Sequence, residues 1–288
     1  MVSIFTTTKE FKGIYKTIQI NALRSWRSIS DEVEIIIFGS EKGSKEAAKE
    51  IRGKYISDVK CSKLGTPLLS DLFHQADLNA KFPILVYINA DIILPPNFLD
   101  EIKCVSKKFK KYLMIGHRWD MDVDNEIRFD NNKQTNYFWE NVNSKSIKHS
   151  CTGIDYFVFK KNQWQKLPEF IIGRPGFDNW LIWKARRRLL PVIDCSSELY
   201  VVHQNHNINK HYNIEGDQNK KLHQGKTLNI LDSTYILLNG RILKKNNYQF
   251  KIRNLHRLPN IFPEFSIFIK LYRRLFKIYI NIFYFNKK

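Results

Sequence analysis

Between Ile84 and Leu94 the chain reads Ile-Leu-Val-Tyr-Ile-Asn-Ala-Asp-Ile-Ile-Leu. Five apolar residues in succession leave no side of a strand for water. Ile84–Ile88 therefore predicts a strand covered on both faces, and such a sheet needs helices above and below it. The carboxylate of Asp91, with only Asn89 for polar company, then stands just beyond the end of a buried strand. Ionised carboxylates are rarely left in apolar surroundings without a partner.

The flanking sequence supplies the layers. Apolar strand patterns at 2–6, 33–38, 55–59 and 113–117 alternate with helical patterns at 18–29, 44–52, 67–80 and 98–108. Pro67 suits a first helical turn. This alternation predicts an α/β fold with a mostly parallel central sheet and helices on both faces. Ligands in such sheets bind beyond the carboxyl ends of the strands, here residues 6–9, 39–40, 89–91 and 117–120. The second half is less regular, with strands expected at 156–159 and 199–204 and a helix at 178–188. No internal repeat is visible.

Charge divides the chain unevenly. The net charge is +19, and the stretch from Arg241 to the end, with 12 Lys or Arg and one acid, supplies +11 of it. The expected organisation is a folded domain over 1–240 and a basic, aromatic, helical tail over 241–288. In the tail, Lys270, Arg273, Arg274 and Lys277 follow helical spacing and predict one basic stripe on an otherwise apolar helix. Its longest uncharged run is about nine residues, short of the roughly 20 that span a bilayer. The pattern predicts a helix lying on an anionic membrane surface, or one packed on the domain with its basic stripe in solvent.

Cys61, Cys104, Cys151 and Cys195 form no CxxC pair and suggest no zinc site. The first residues lack a signal-peptide pattern. The expected setting is reduced and cytoplasmic, with peripheral attachment to the cytoplasmic face of a membrane through the tail.

Four constellations carry possible chemistry. Asp91 can hold a divalent cation that bridges to phosphate oxygens, or cap the turn that follows. Asp120-Met121-Asp122 is a second candidate metal site after an apolar strand, or a solvated loop; Asn125 and Asn131 at the Gly and Glu positions of a calcium loop disfavour that pattern. In "GRPGFDNW" a fixed turn delivers Asp178 to the start of a helix, as a general base or as a helix cap. His203 and His206, after a short apolar strand, can add imidazole ligands or serve the core.

These pieces occur together in a recognisable order: "FTTTKEF", "IQINALRSW", "GTPLLSDLF", "VYINADIIL", "GHRWD", "TGIDYFVF", "GRPGFDNWLIWKAR" and "VVHQNH". In that order the chain resembles the GT-A glycosyltransferases, in particular a family 2-like group, over about residues 1–210 and more weakly to 240. The resemblance implies a Rossmann-like catalytic domain that takes a nucleotide-diphospho-sugar donor with Mn²⁺ or Mg²⁺. It implies that Asn89-Ala90-Asp91 stands in place of the family's DxD motif, with Asp91 as metal ligand and Asn89 replacing the first Asp. It makes Asp178 the catalytic base of an inverting transfer to a hydroxyl of a glycan or lipid-linked acceptor. His203 becomes the late metal or diphosphate ligand. Thr6, Thr7 and Thr8 fall on the donor side; Trp119, Asp120, Asp155 and Tyr156 fall on the acceptor side.

Two other classes compete. A sugar-phosphate nucleotidyltransferase would share the nucleotide and the metal but needs a Gly-rich basic loop after the first strand, and "FTTTKEFKG" has one Gly. A non-enzymatic membrane- or nucleic-acid-binding protein would use the positive charge, yet that charge is concentrated in the tail and no nucleic-acid motif is present.

Overall fold

The computed structural model describes residues 1–206, 212–268, 271–272 and 274–275, the side chains of 212–214 excepted. In chain order the elements are β1 (Ser3–Thr7), α1 (Ile14–Ile29), β2 (Glu34–Phe38), α2 (Ser44–Glu50), β3 (Lys54–Ile56), α3 (Leu69–Asn79), β4 (Ile84–Ile88), β5 (Ile92–Ile93), α4 (Phe98–Lys108), β6 (Leu113–Ile115), β7 (Arg118–Met121), α5 (Asn132–Lys145), β8 (Ile147–Lys148), β9 (Tyr156–Lys160), α6 (Phe177–Arg187), β10 (Val192–Asp194), β11 (Val201–Gln204), α7 (Tyr212–His223), β12 (Tyr235–Leu238), β13 (Arg241–Lys244) and α8 (Tyr248–Ile261).

The main sheet runs β13-β12-β10-β6-β9-β4-β1-β2-β3. It is mostly parallel: β1 pairs in parallel with β2 and β4, β2 with β3, and β10 with β6 and β12. Only β9, between β4 and β6, and the edge strand β13 run against their neighbours. The expected α/β sheet with helices on both faces is therefore present.

The two-sided burial read from Ile84–Ile88 has a direct cause in the pleat, which sends alternate side chains to opposite faces. Ile84, Val86 and Ile88 join the core on one face, against Leu23 and Trp26 of α1 and Phe98 and Ile102 of α4. Leu85 and Tyr87 join the core on the other, against Leu72 and Phe73 of α3 and Leu181 and Ile182 of α6. Each such side chain, fully buried, contributes about 1.5–3 kcal/mol. Helix α1 begins earlier than its apolar pattern suggested, at Ile14, directly after Gly13 with its φ of 54°.

A second, small sheet, β5-β11-β7-β8, stands at the carboxyl end of β4. One of its faces packs on α5 through Ile93, Met121, Val202, Phe138 and Val142. Sequence patterning did not announce this sheet as a unit, because its strands are two to four residues long and come from four distant places in the chain.

The expected division at 240 falls inside the β12–β13 hairpin and is corrected by it. Leu238 pairs with Arg241 across the turn. Ile242 and Ile261 are buried in the two main cores, and Arg253 of α8 donates to the buried carboxylate of Asp232 at 2.6 and 3.0 Å. Residues 241–261 thus belong to the folded body. After α8, Phe265, Ile267, Phe268, Leu271, Tyr272 and Leu275 are all more than half exposed. Of the basic stripe, Arg274 is described; Lys270, Arg273 and Lys277 lie outside the described residues. Among the described residues no helix is long and apolar enough to cross a membrane.

Candidate functional site

The strand β4 ends in a tight turn, where the Ile92 amide donates to the Asn89 carbonyl at 3.2 Å. That turn lifts Asp91 to the carboxyl edge of the main sheet. Its backbone is clamped from the small sheet: the Gln204 amide and side-chain amide donate to the Asp91 carbonyl at 3.2 and 3.1 Å. Gln204 is itself held by Asn21 at 3.0 Å and by the Ile18 carbonyl at 2.7 Å. Next door, the Trp26 indole donates to the Ile92 carbonyl at 2.8 Å.

The Asp91 carboxylate turns toward side chains from β11 and the residues just after it. His206 Nε2 lies 3.0 Å from Asp91 Oδ2, and His203 Nε2 lies 3.8 Å from the same oxygen. The other oxygen, Oδ1, is buried and has no hydrogen-bond partner among the described residues. Burial raises the Asp91 carboxyl, but the His206 hydrogen bond and the His203 charge outweigh it and bring it down to about 2. One ligand atom from each of Asp91, His203 and His206 lies within 4.8 Å of the other two, a group with metal-ligand spacing among the described residues. An anionic carboxylate with an orphaned oxygen, facing two imidazoles, fits a divalent cation.

Behind His203 stands Asp120 on β7, paired in register with it. His203 Nδ1 is 3.0 Å from Asp120 Oδ1. The same carboxylate meets Arg118 Nε at 2.9 Å and the His149 ring. These partners overcome burial and hold the Asp120 carboxyl well below the usual range. For His203, burial lowers the imidazole but Asp120 and Asp91 raise it more. Arg118 reaches on to Asp155 at 3.0 Å, and Asp155 accepts from Asn89 at 2.6 Å. A continuous polar chain thus runs Asn89–Asp155–Arg118–Asp120–His203–Asp91–His206.

Asp178 enters from α6. Gly176, with φ 104°, closes the preceding turn, and a Cβ there would lie 2.7 Å from the His223 ring. The Gly176 amide donates to Asp178 Oδ1 at 3.1 Å. Burial, with Asp155 adding to it, outweighs these backbone hydrogen bonds and raises the Asp178 carboxyl to about 7. The Tyr87 hydroxyl, buried at the end of β4, is raised by burial and then by the charges of Asp155, Asp91 and Asp178. Three carboxylates therefore converge on one end of one strand.

The other expected residues fall as follows. Thr6 is buried and donates to the Thr7 carbonyl at 3.1 Å, while Thr8 Oγ1 and Ser44 Oγ are 2.7 Å apart. An open groove of about 580 Å³ lies near them, lined by three lysines, Lys12, Lys42 and Lys45, and three acids, Glu10, Glu41 and Glu46, together with Phe11, Gly43 and Tyr55. Ala90 is buried in the turn. Asp122 accepts from Asn205 at 2.8 Å and is not part of the metal-spaced group. One acceptor-side expectation is corrected. Tyr156 is fully buried, ring to ring with Phe98 and with its hydroxyl against Gly116, so it cannot touch an acceptor. Trp119 alternates with Asp120 along β7 and stacks on Tyr200 at 5.0 Å, on the α5 side of the small sheet.

Sequence reasoning missed Arg118, His149 and Lys9. The alternation Arg118-Trp119-Asp120 would have placed Arg118 and Asp120 on one face, had β7 been read as a strand. The Lys9 amine is lowered by burial, opposed by the charge of Asp91; it stands over the Tyr15 ring at 4.2 Å, and that ring meets His206 at 5.4 Å.

The chain is similar to glucosyl-3-phosphoglycerate synthase from Mycobacterium tuberculosis. The complex of that protein with Mg²⁺ and UDP compares with a TM-score of 0.48 at 12% identity, covering 79% of each chain. Its complex with Mn²⁺, UDP-glucose and phosphoglyceric acid gives 0.48 at 12% identity, over 78% of this chain and 79% of that one. S. aureus TarS 1-349 with UDP-GlcNAc gives 0.33 at 13% identity, over 42% of this chain and 35% of that one. No protein-family model and no curated protein matches this chain.

Proposed function

We propose that this chain is a glycosyltransferase that moves a sugar from a nucleotide-diphospho-sugar donor to a hydroxyl acceptor. The observation that carries the reading is the meeting of Asp91, His203 and His206 at the carboxyl end of β4. It joins the resemblance of the sequence to GT-A enzymes with the general location of ligands in such sheets.

In this reading the groove near Thr8 and Ser44 takes the nucleotide; Thr6 is fully buried and shapes the end of β1 without touching the donor, which leaves Thr7 and Thr8 on the donor side. A cation, Mn²⁺ or Mg²⁺, held by Asp91 and His203 would offset the charge of the diphosphate leaving group. Lys9 adds positive charge on the same side. Asp178 accepts the proton of the acceptor hydroxyl, its carboxyl being raised to about 7 and so poised near neutral pH. Attack from the face opposite the diphosphate inverts the anomeric centre. The acceptor is a glycan or a lipid-linked sugar, and the exposed apolar side chains after α8, with the basic residues among them in the sequence, rest on an anionic membrane surface on its cytoplasmic face.

A panel of nucleotide-diphospho-sugars with Mn²⁺ tests the reading by thermal stabilisation, since a ligand that binds only the folded state raises its stability by mass action. One donor should stand out, and EDTA should abolish both its stabilisation and release of the nucleoside diphosphate. Transfer undiminished by EDTA would remove the cation from the scheme. Pyrophosphate release from a nucleoside triphosphate would replace it with nucleotidyl transfer.

A further inference from the structure

Building on the proposed cation site at Asp91 and His203, we infer that His206 is a third protein ligand and that the site selects a first-row transition-metal ion over Mg²⁺, binding it without nucleotide.

The donor set is one carboxylate and two imidazoles. Ligands about 2.1 Å from one ion and at right angles stand about 3 Å apart. His206 Nε2 and Asp91 Oδ2 are already at 3.0 Å, closer than the 3.8 Å of His203. His206 comes two residues after Gln204, whose side chain pins the Asp91 carbonyl, so its position is tied to that of the carboxylate it faces. Its ring is also placed by Tyr15 at 5.4 Å and by His203 at 5.5 Å. His203 is backed by Asp120, and Asp120 by Arg118 and His149. A carboxylate behind a ligating imidazole fixes its orientation and strengthens it as a donor.

The chemistry of that set decides the ion. Mg²⁺ favours oxygen ligands, keeps its waters, and is held by carboxylates together with substrate phosphates. Imidazole nitrogen suits transition metals, with affinity rising from Mn²⁺ through Co²⁺. Asn89 explains why a second imidazole is needed here. Its amide is committed to Asp155, so one carboxylate supports the site where two would serve Mg²⁺. With three side chains already gathered, the ion does not wait for phosphate oxygens.

The test uses the full chain, stripped with EDTA and desalted, without nucleotide. Mn²⁺ binding is read by electron paramagnetic resonance of the free ion, and Co²⁺ binding by its visible absorption. One Mn²⁺ should bind per chain, persist in a hundredfold excess of Mg²⁺, and give way to equimolar Co²⁺. His206→Ala and the size-conserving His206→Gln should each weaken Mn²⁺ by at least about tenfold, since even outer partners of a ligand count for that much, and should shift the Co²⁺ spectrum. Displacement of Mn²⁺ by comparable Mg²⁺, or unchanged affinity in both folded His206 variants, would overturn the inference. Asp91→Asn separates the two levels. If that variant loses Mn²⁺ while the His206 variants keep it, only the part of His206 fails; if it binds like the parent, the cation site itself fails.

Discussion

The side-chain amide of Asn89 donates to the carboxylate of Asp155 at 2.6 Å, and the backbone amide of Asn89 donates to the Asp155 carbonyl at 3.1 Å. The Asn89 side-chain oxygen accepts from the Tyr87 hydroxyl at 3.0 Å. The residue that breaks the two-aspartate pattern of the motif is therefore turned inward, and its amide does what a carboxylate could not. Asn89→Asp sets two carboxylates face to face. It should lower stability by about 1–3 kcal/mol at neutral pH, with the loss shrinking as acid protonates the added group. Urea unfolding at neutral and at mildly acidic pH checks both parts; equal stability at neutral pH would count against this account of Asn89.

Asp178 sets the expected pH dependence. A carboxyl raised to about 7 is protonated below that pH and cannot accept a proton; above it the basic form fills. Donor-saturated transfer should therefore rise about tenfold per pH unit below about 7 and level off above. Asp178→Asn should keep donor binding and reduce transfer by on the order of 10²–10⁴. Near-normal turnover in that variant would return Asp178 to the role of helix cap.

Asn21 is buried and ties the end of β11 to the loop before α5, donating to Gln204 at 3.0 Å and accepting from the Ile127 amide at 2.7 Å. Asn21→Ala orphans both. It should cost about 1–3 kcal/mol and loosen the clamp on Asp91. A lower denaturation midpoint with an unchanged slope would show a loss of stability without a change in the surface exposed.

The hairpin across Gly240 predicts different fates for two truncations. Ending the chain at Gly240 deletes β13 and α8, removes Ile242 and Ile261 from the cores, and strips Arg253 from buried Asp232. That chain should fail to fold. Ending it at Phe262 should leave a folded body that no longer sediments with anionic vesicles, while the full chain does so in a salt-sensitive way. Equal vesicle binding by both would place the membrane contact elsewhere.

Much of the layering is legible in the sequence. An all-apolar strand such as Ile84–Ile88 can satisfy itself in few ways, so the two-sided sheet followed from local pattern, and Asp91 followed from standing directly after it. Asp178 was legible because a Gly- and Pro-rich turn before an apolar helix places its acid. The tail was legible as a change of composition but not as a boundary: Arg241–Lys244 reads as basic tail and pairs as a strand. Tyr156 beside Asp155 shows the same limit. One residue of offset on a strand changes a side chain from the site to the core.

The sequence by itself determined the layers and the place of the key carboxylates, because hydrophobic periodicity and turn chemistry act between residues a few positions apart. Only the tertiary structure decided what those carboxylates face. Asp91 meets His206 across 115 residues of chain, and Asp155 meets Asn89 across 66. Arg118, His149 and His203 gather on Asp120 through a small sheet whose strands are too short to show a period. Contacts of that kind depend on strand order and register, which are settled by packing over the whole molecule and leave no mark in any short stretch of sequence.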